Sequence, residues 1–290
     1  MCSTTRIRGE MAGGRKTTKG GKSARSAQAA LVAGKGKPWG TIIAVVVLVV
    51  LAAGVFGYTY VQLNAKHEQE AALAQWTPSD TNKDPSDKIT GVVKKDYPSG
   101  LHVQPTQRVA YDQAPPFGGP HDGFWADCMG IVYPKAVRSE NMVHALEHGS
   151  VWIAYNPDEV SGSQLDVLKQ KVNGKQFLML SPYPGLDHPV SVQSWGHQLK
   201  VDDVNDPRID EFVKSLLRNQ YTYPEVGASC DALGPGQFDP ANPPAFDPSK
   251  PGPDAVPMSG QGATNNGDQR QPSGAMTTPP VVTSTTKPNG

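Results

Sequence analysis

The stretch NMVHALEHGSVWIAY, residues 141–155, places His144, Glu147 and His148 within five residues. On a helix, positions i and i+4 lie one above the other, so the two imidazoles can share one metal ion. The order H-x-x-E-H is that of the inverted zinc peptidases, in which the glutamate serves as base. Such a hydrolytic site needs a third protein ligand and an open position for water, and Glu211 and Glu225 are the acidic candidates for that ligand. A site that only holds a metal asks for less. His121, in the loop GGPHDGFWADCMG, can supply a third imidazole, with Glu147 beside or behind as its hydrogen-bonding support. His102 and His197 are further candidates, since six of the seven histidines fall between residues 102 and 197. Imidazoles suit zinc and copper, and Cys128 with Met129 would soften the site toward copper if Cys128 stays out of a disulfide. One reading needs no metal. His148 ends the helix, where a protonated imidazole gains roughly 0.3–1 kcal/mol, and Glu140 and Glu147 pair with their neighbours to brace the loop.

These residues need elements to hold them. Glu140–His148 reads as a short helix with Ser139 as its N-cap and Gly149 as its stop. LHVQPTQRVAY gives short extended pieces, and PPFGGPHDGFWADCMGIVY is a glycine- and proline-rich loop leading into a strand. SVWIAYN is a strand, SGSQLDVLKQKVN an amphipathic helix, KQFLMLS and VSVQSW strands, and DPRIDEFVKSLLRNQ a last helix. Helix and strand alternate, and then two strands follow one another as an expected antiparallel hairpin. The fold class is therefore α+β, a small mixed sheet with helices covering one face. Trp125, Trp152 and Trp195 are expected as core anchors.

The chain of 290 residues does not devote all of them to this domain. Residues 41–63, TIIAVVVLVVLAAGVFGYTYVQL, carry no charge and match the roughly 20 residues a helix needs to cross a bilayer core. The apolar run is longer than a signal peptide's, and it ends in Tyr58, Tyr60, Gln62 and Asn64 rather than in a small-x-small cleavage site. Before it stand nine Lys or Arg (Arg6, Arg8, Arg15, Lys16, Lys19, Lys22, Arg25, Lys35, Lys37) against the single acid Glu10. Basic residues collect on the cytoplasmic side, so the expected protein is a single-pass one of the cell membrane, N-terminus inside and the rest extracytoplasmic. The basic segment reads as a topogenic tail, with no nucleic acid as partner. The expected division is a disordered basic tail over 1–38, a transmembrane helix over 39–63, a stalk over 64–88, the α+β domain over 89–231 and a disordered Pro/Gly-rich tail over 232–290. Outside the membrane, Cys128 and Cys230 are positioned to form a disulfide closing about a hundred residues.

PPFGGPHDGFWADCMGIVY, NMVHALEHGSVWIAY and SVQSWGHQL together resemble the family catalogued as domain of unknown function 3105, over roughly residues 89–222. The resemblance implies a membrane-anchored, externally facing domain of the kind common in actinobacteria, without an established activity. It treats His121, His144, Glu147 and His148 as one site. The family loop usually reads Pro-Pro-Thr-Ser-Gly-Pro-His, and Phe117 and Gly118 here replace the two hydroxyl residues. The expected function is a non-enzymatic binding module whose His121, His144 and His148 hold zinc or copper. The alternatives are an envelope protein that docks a partner, its His/Glu cluster structural, and a zinc hydrolase.

Overall fold

The computed structural model describes residues 39–231 and 237–263. The expected basic tail, residues 1–38, and the stretches 232–236 and 264–290 of the expected C-terminal tail lie outside the described residues. The chain divides into two units, one up to Gln62 and one from Leu63 onward.

Helix α1 (Trp39–Leu73) buries none of its residues. It is long and apolar enough to cross a membrane, spanning about 50 Å at 1.5 Å per residue. The helix tightens into a 3-10 turn over Ala74–Trp76 and ends where Thr77 turns extended, as the residue before Pro78 must. The segment read as a stalk is pinned from there on. Trp76 packs against the core, and Asp84 caps a 3-10 turn over Pro85–Lys88 by accepting from the Ser86 N–H.

The second unit carries strands β1 (Val93–Lys94), β2 (His102–Val103), β3 (Val109–Ala110), β4 (His121–Asp122) and β5 (Met129–Val132). Then follow α2 (Ser139–Glu147), β6 (Val151–Tyr155), α3 (Gly162–Val172), β7 (Leu178–Pro182), β8 (Val190–Ser194), β9 (His197–Val201), α4 (Pro207–Leu216) and β10 (Val256–Pro257). The class is α+β. Six strands form a mixed sheet in the order β1-β9-β8-β6-β7-β5, with β5 and β6 parallel to β7 and the other pairs antiparallel.

Helices cover both faces of this sheet rather than one. The path from β5 steps past β7 to β6 and then reverses to β7, so right-handed crossovers place α2 and α3 on opposite sides. Packing obeys this. Val151, Ile153 and Tyr155 face Leu168 and Val172 of α3 and Ile209, Phe212 and Leu216 of α4. The alternate residues Trp152 and Ala154 face Met142, Val143, Ala145 and Leu146 of α2. The expected hairpin also moves by one strand. β7 and β8 are separated by β6, and the antiparallel turn joins β8 to β9 through Trp195 and Gly196. Gly196 holds a φ of +70°, a left-handed conformation that glycine adopts without strain.

The domain also runs past residue 231. Phe238 is fully buried and β10 pairs in parallel with β3. The Arg108 guanidinium donates to the Asp247 carboxylate and carbonyl and to the Ser249 hydroxyl and carbonyl. A few apolar anchors and one arginine clamp hold a segment whose average composition reads as disordered.

Candidate metal centre

Three short elements converge. β2 and β4 are only two residues long, and their parallel register sets His102 directly beside His121, with ring centroids 5.0 Å apart. α2 brings His144, whose ring lies 4.6 Å from that of His121 and stacks on that of His102 at 5.1 Å. Glu147, one turn further along α2, completes a quartet that is buried throughout. One ligand atom from each of the four lies within 4.8 Å of the others. Helix α2 begins at Ser139, with Arg138 rather than Ser139 in the cap position, and His148 follows its last residue.

The surrounding backbone fixes which ring nitrogen each histidine offers. Nδ1 of His121 lies 2.8 Å from the Gly119 carbonyl, and Nδ1 of His144 lies 2.6 Å from the Asp122 carbonyl. A carbonyl oxygen can only accept, so both Nδ1 atoms carry the proton and both Nε2 atoms present a lone pair in the neutral ring. This is how metal-bound histidines are held in proteins. Glu147 is oriented in the same way: its Oε1 accepts from the Gly100 N–H at 2.8 Å, which turns Oε2 inward.

The inward atoms meet without satisfying one another. Nε2 of His121 is 2.7 Å from Oε2 of Glu147, a distance that suits a hydrogen bond, yet the pair is not aligned as one. Nε2 of His144 likewise makes no hydrogen bond within the described residues. Buried polar atoms left in this state are costly, and a cation at their centre would satisfy all of them. Burial pulls the His121 pKa down, but the Glu147 carboxylate outweighs it and leaves the imidazole above its ordinary value. For Glu147, burial pushes up and His121 pulls harder, so the carboxylate stays ionised. Burial first, and then the charges of His121, His148 and His102, force the His144 pKa far down, so that ring is a neutral ligand.

His148 lies just outside the quartet. Its Nδ1 faces the Ser229 carbonyl at 2.6 Å, and its Nε2 is 3.1 Å from a Glu225 carboxylate oxygen, again without hydrogen-bond alignment. With His144 these two form an overlapping group of possible ligands. Trp125 walls both groups, its ring edge-on to His144 and His148.

The candidates from sequence therefore divide. His121, His144 and Glu147 meet, His102 joins them through strand pairing, and His148 meets Glu225 instead. His197 is held elsewhere by the Trp195 carbonyl and Asp84, at 2.7 and 3.0 Å, and Glu211 belongs to α4 on the opposite face of the sheet. Cys128 and Cys230 are joined in a disulfide, so the thiolate that would have favoured copper is spent. Phe117 is fully buried against Tyr97, and a Cβ at Gly118 would lie 2.2 Å from the Tyr97 ring. The two positions that differ from the usual family loop thus serve packing in this chain.

No curated protein and no solved structure matches this chain. Residues 102–232, which contain every member of both groups, match the family described as "Protein of unknown function (DUF3105)".

Proposed function

We propose that this chain is a membrane-anchored metal-binding protein whose domain holds a single zinc or copper ion through His102, His121, His144 and Glu147. The observation that carries the reading is the arrangement of His121, His144 and Glu147. Each is locked by a backbone group on its outer side, and each turns its remaining ring nitrogen or carboxylate oxygen toward the others. Three imidazoles and one carboxylate make a zinc-like donor set, and zinc bound at about 2.0–2.2 Å would draw the quartet together by roughly an ångström. The hydrolase alternative requires an open coordination position and an accessible base. Glu147 is fully buried, with one oxygen taken by Gly100 and the other turned into the cluster, which favours holding over turnover.

The anchoring half of the proposal rests on α1 and on charge. An exposed apolar helix of this length is unfavourable in water, and the nine basic residues ahead of it favour a cytoplasmic N-terminus. The Cys128–Cys230 disulfide suits an oxidising compartment for the domain. Elemental analysis of the full chain in detergent, loaded with zinc or copper and desalted, tests the reading against a His121→Ala, His144→Ala double variant. About one metal per chain, lost in the variant, supports it. No retained metal, or equal metal in both proteins, overturns it.

A further inference from the structure

The two ligand groups share His144 and differ in exposure. In the quartet every side chain is buried, whereas the group of His144, His148 and Glu225 reaches the surface, with the Glu225 side chain 31% exposed and His148 1%. The Nδ1 proton of His144 is committed to the Asp122 carbonyl, so this ring has one lone pair to give, on Nε2. One ion can use it at a time. The groups are therefore alternative stations for one ion rather than two sites filled together.

From this we infer that His148 and Glu225 form the loading port of the buried site: a divalent transition metal ion is caught at the surface by Glu225 and His148 and passed inward through His144. The inference rests on the metal-binding reading above. Each step is an exchange of ligands, with no change of oxidation state. A water ligand leaves as His148 or His144 binds, and Glu225 then His148 let go as His121 and Glu147 take their places. The distances suit a short handover, since the rings of His148 and His144 are 4.7 Å apart and those of His144 and His121 are 4.6 Å apart. The port is also held in place. The Glu225 N–H donates to the Glu147 carbonyl at 3.2 Å, and the Cys128 N–H donates to the Cys230 carbonyl at 3.0 Å, beside the disulfide. Among the described residues His148 Nε2 is buried and aligned with no hydrogen-bond partner, as a transit ligand requires.

A port changes rates, and a resting ligand changes affinity. The test follows zinc uptake and release by the full chain in detergent, by stopped flow against a chromogenic chelator, for the wild type, His148→Ala and Glu225→Gln. The port predicts that both rates fall together, by about tenfold or more in His148→Ala and less in Glu225→Gln, with the dissociation constant nearly unchanged. Unchanged rates in both variants overturn the port, as does a large loss of affinity with unchanged uptake, which would make His148 a resting ligand. Two zinc ions bound together in the wild type also overturn it. Failure of the wild type to bind zinc would instead fail the metal reading itself. Should His148→Ala not fold, Glu225→Gln, at a side chain only partly buried, still decides the matter.

Discussion

Zinc should stabilise this domain strongly, and the size of the effect follows from the quartet. The inward atoms of His121, His144 and Glu147 are buried, and among the described residues none makes an aligned hydrogen bond, so the folded state alone offers the assembled site and the unfolded chain does not. Binding to the folded state only contributes RT ln(1 + [L]/Kd), about 4.1 kcal/mol when free zinc is a thousand times the dissociation constant. For a domain of about 200 residues each kcal/mol moves Tm by roughly 2–4 °C, so the expected rise is about 8–16 °C. Calorimetry of the full chain in detergent, in chelator and then in buffered free zinc, measures it. Tm should climb steadily with the logarithm of free zinc once the site is saturated. The effect should shrink as pH falls through the His121 pKa, which the Glu147 carboxylate holds above the ordinary histidine value, because a proton on that ring competes for the same lone pair. Glu147→Gln keeps the shape and loses the charge, so it should fold and show a much smaller rise. A shift of less than about 2 °C in saturating zinc, or an equal shift in Glu147→Gln, would refute the reasoning.

Three further outcomes follow from packing and charge. Replacing Cys128 and Cys230 by alanine removes a bridge across 102 residues, which should cost about 4–5 kcal/mol and lower Tm by roughly 8–20 °C in calorimetry; a change within error would contradict the loop-closure argument. Gly149 has a φ of +89°, and a Cβ there would lie 2.7 Å from the Tyr223 ring, so Gly149→Ala should lose about 2–5 kcal/mol in urea unfolding, and a near-neutral result would mean the ring moves freely. Burial raises the Asp84 pKa, but hydrogen bonds from His197, Lys94 and Ser86 outweigh it and hold the carboxyl well below its ordinary range. A depressed folded pKa gives stability that is present above about 3.9 and is lost as pH falls through the folded value. Asp84→Asn should therefore be about 1–2 kcal/mol less stable at pH 7, with the gap narrowing below pH 4; a gap that stays constant with pH would assign the loss to packing instead.

Local pattern revealed most of what depends on local pattern. The i, i+4 histidines, the order of helices α2, α3 and α4 and the strands β6, β7 and β8 are all readable from periodicity and turn residues. What required the third dimension was pairing. His102 joins the site because a two-residue strand sets it in register with His121, and two residues carry no periodicity. His148 shares a helix end with His144, yet its Nε2 meets Glu225, 77 positions further along the chain, a partner no local spacing specifies. Adjacency in sequence suggests a β7–β8 hairpin, but β6, earlier in sequence, slots between β7 and β8. The 237–263 segment looked too polar to order because its hold comes from Phe238, Val256 and the Arg108 clamp rather than from average composition.

The most direct test of the central claim is the anomalous difference map of the zinc-loaded domain, collected above and below the zinc absorption edge. One strong peak is expected, present only above the edge, at about 2.0–2.2 Å from Nε2 of His121, Nε2 of His144, Oε2 of Glu147 and a ring nitrogen of His102. No peak among these residues, or a peak held by His188 or by surface carboxylates instead, would contradict it and leave the buried histidines as a structural cluster.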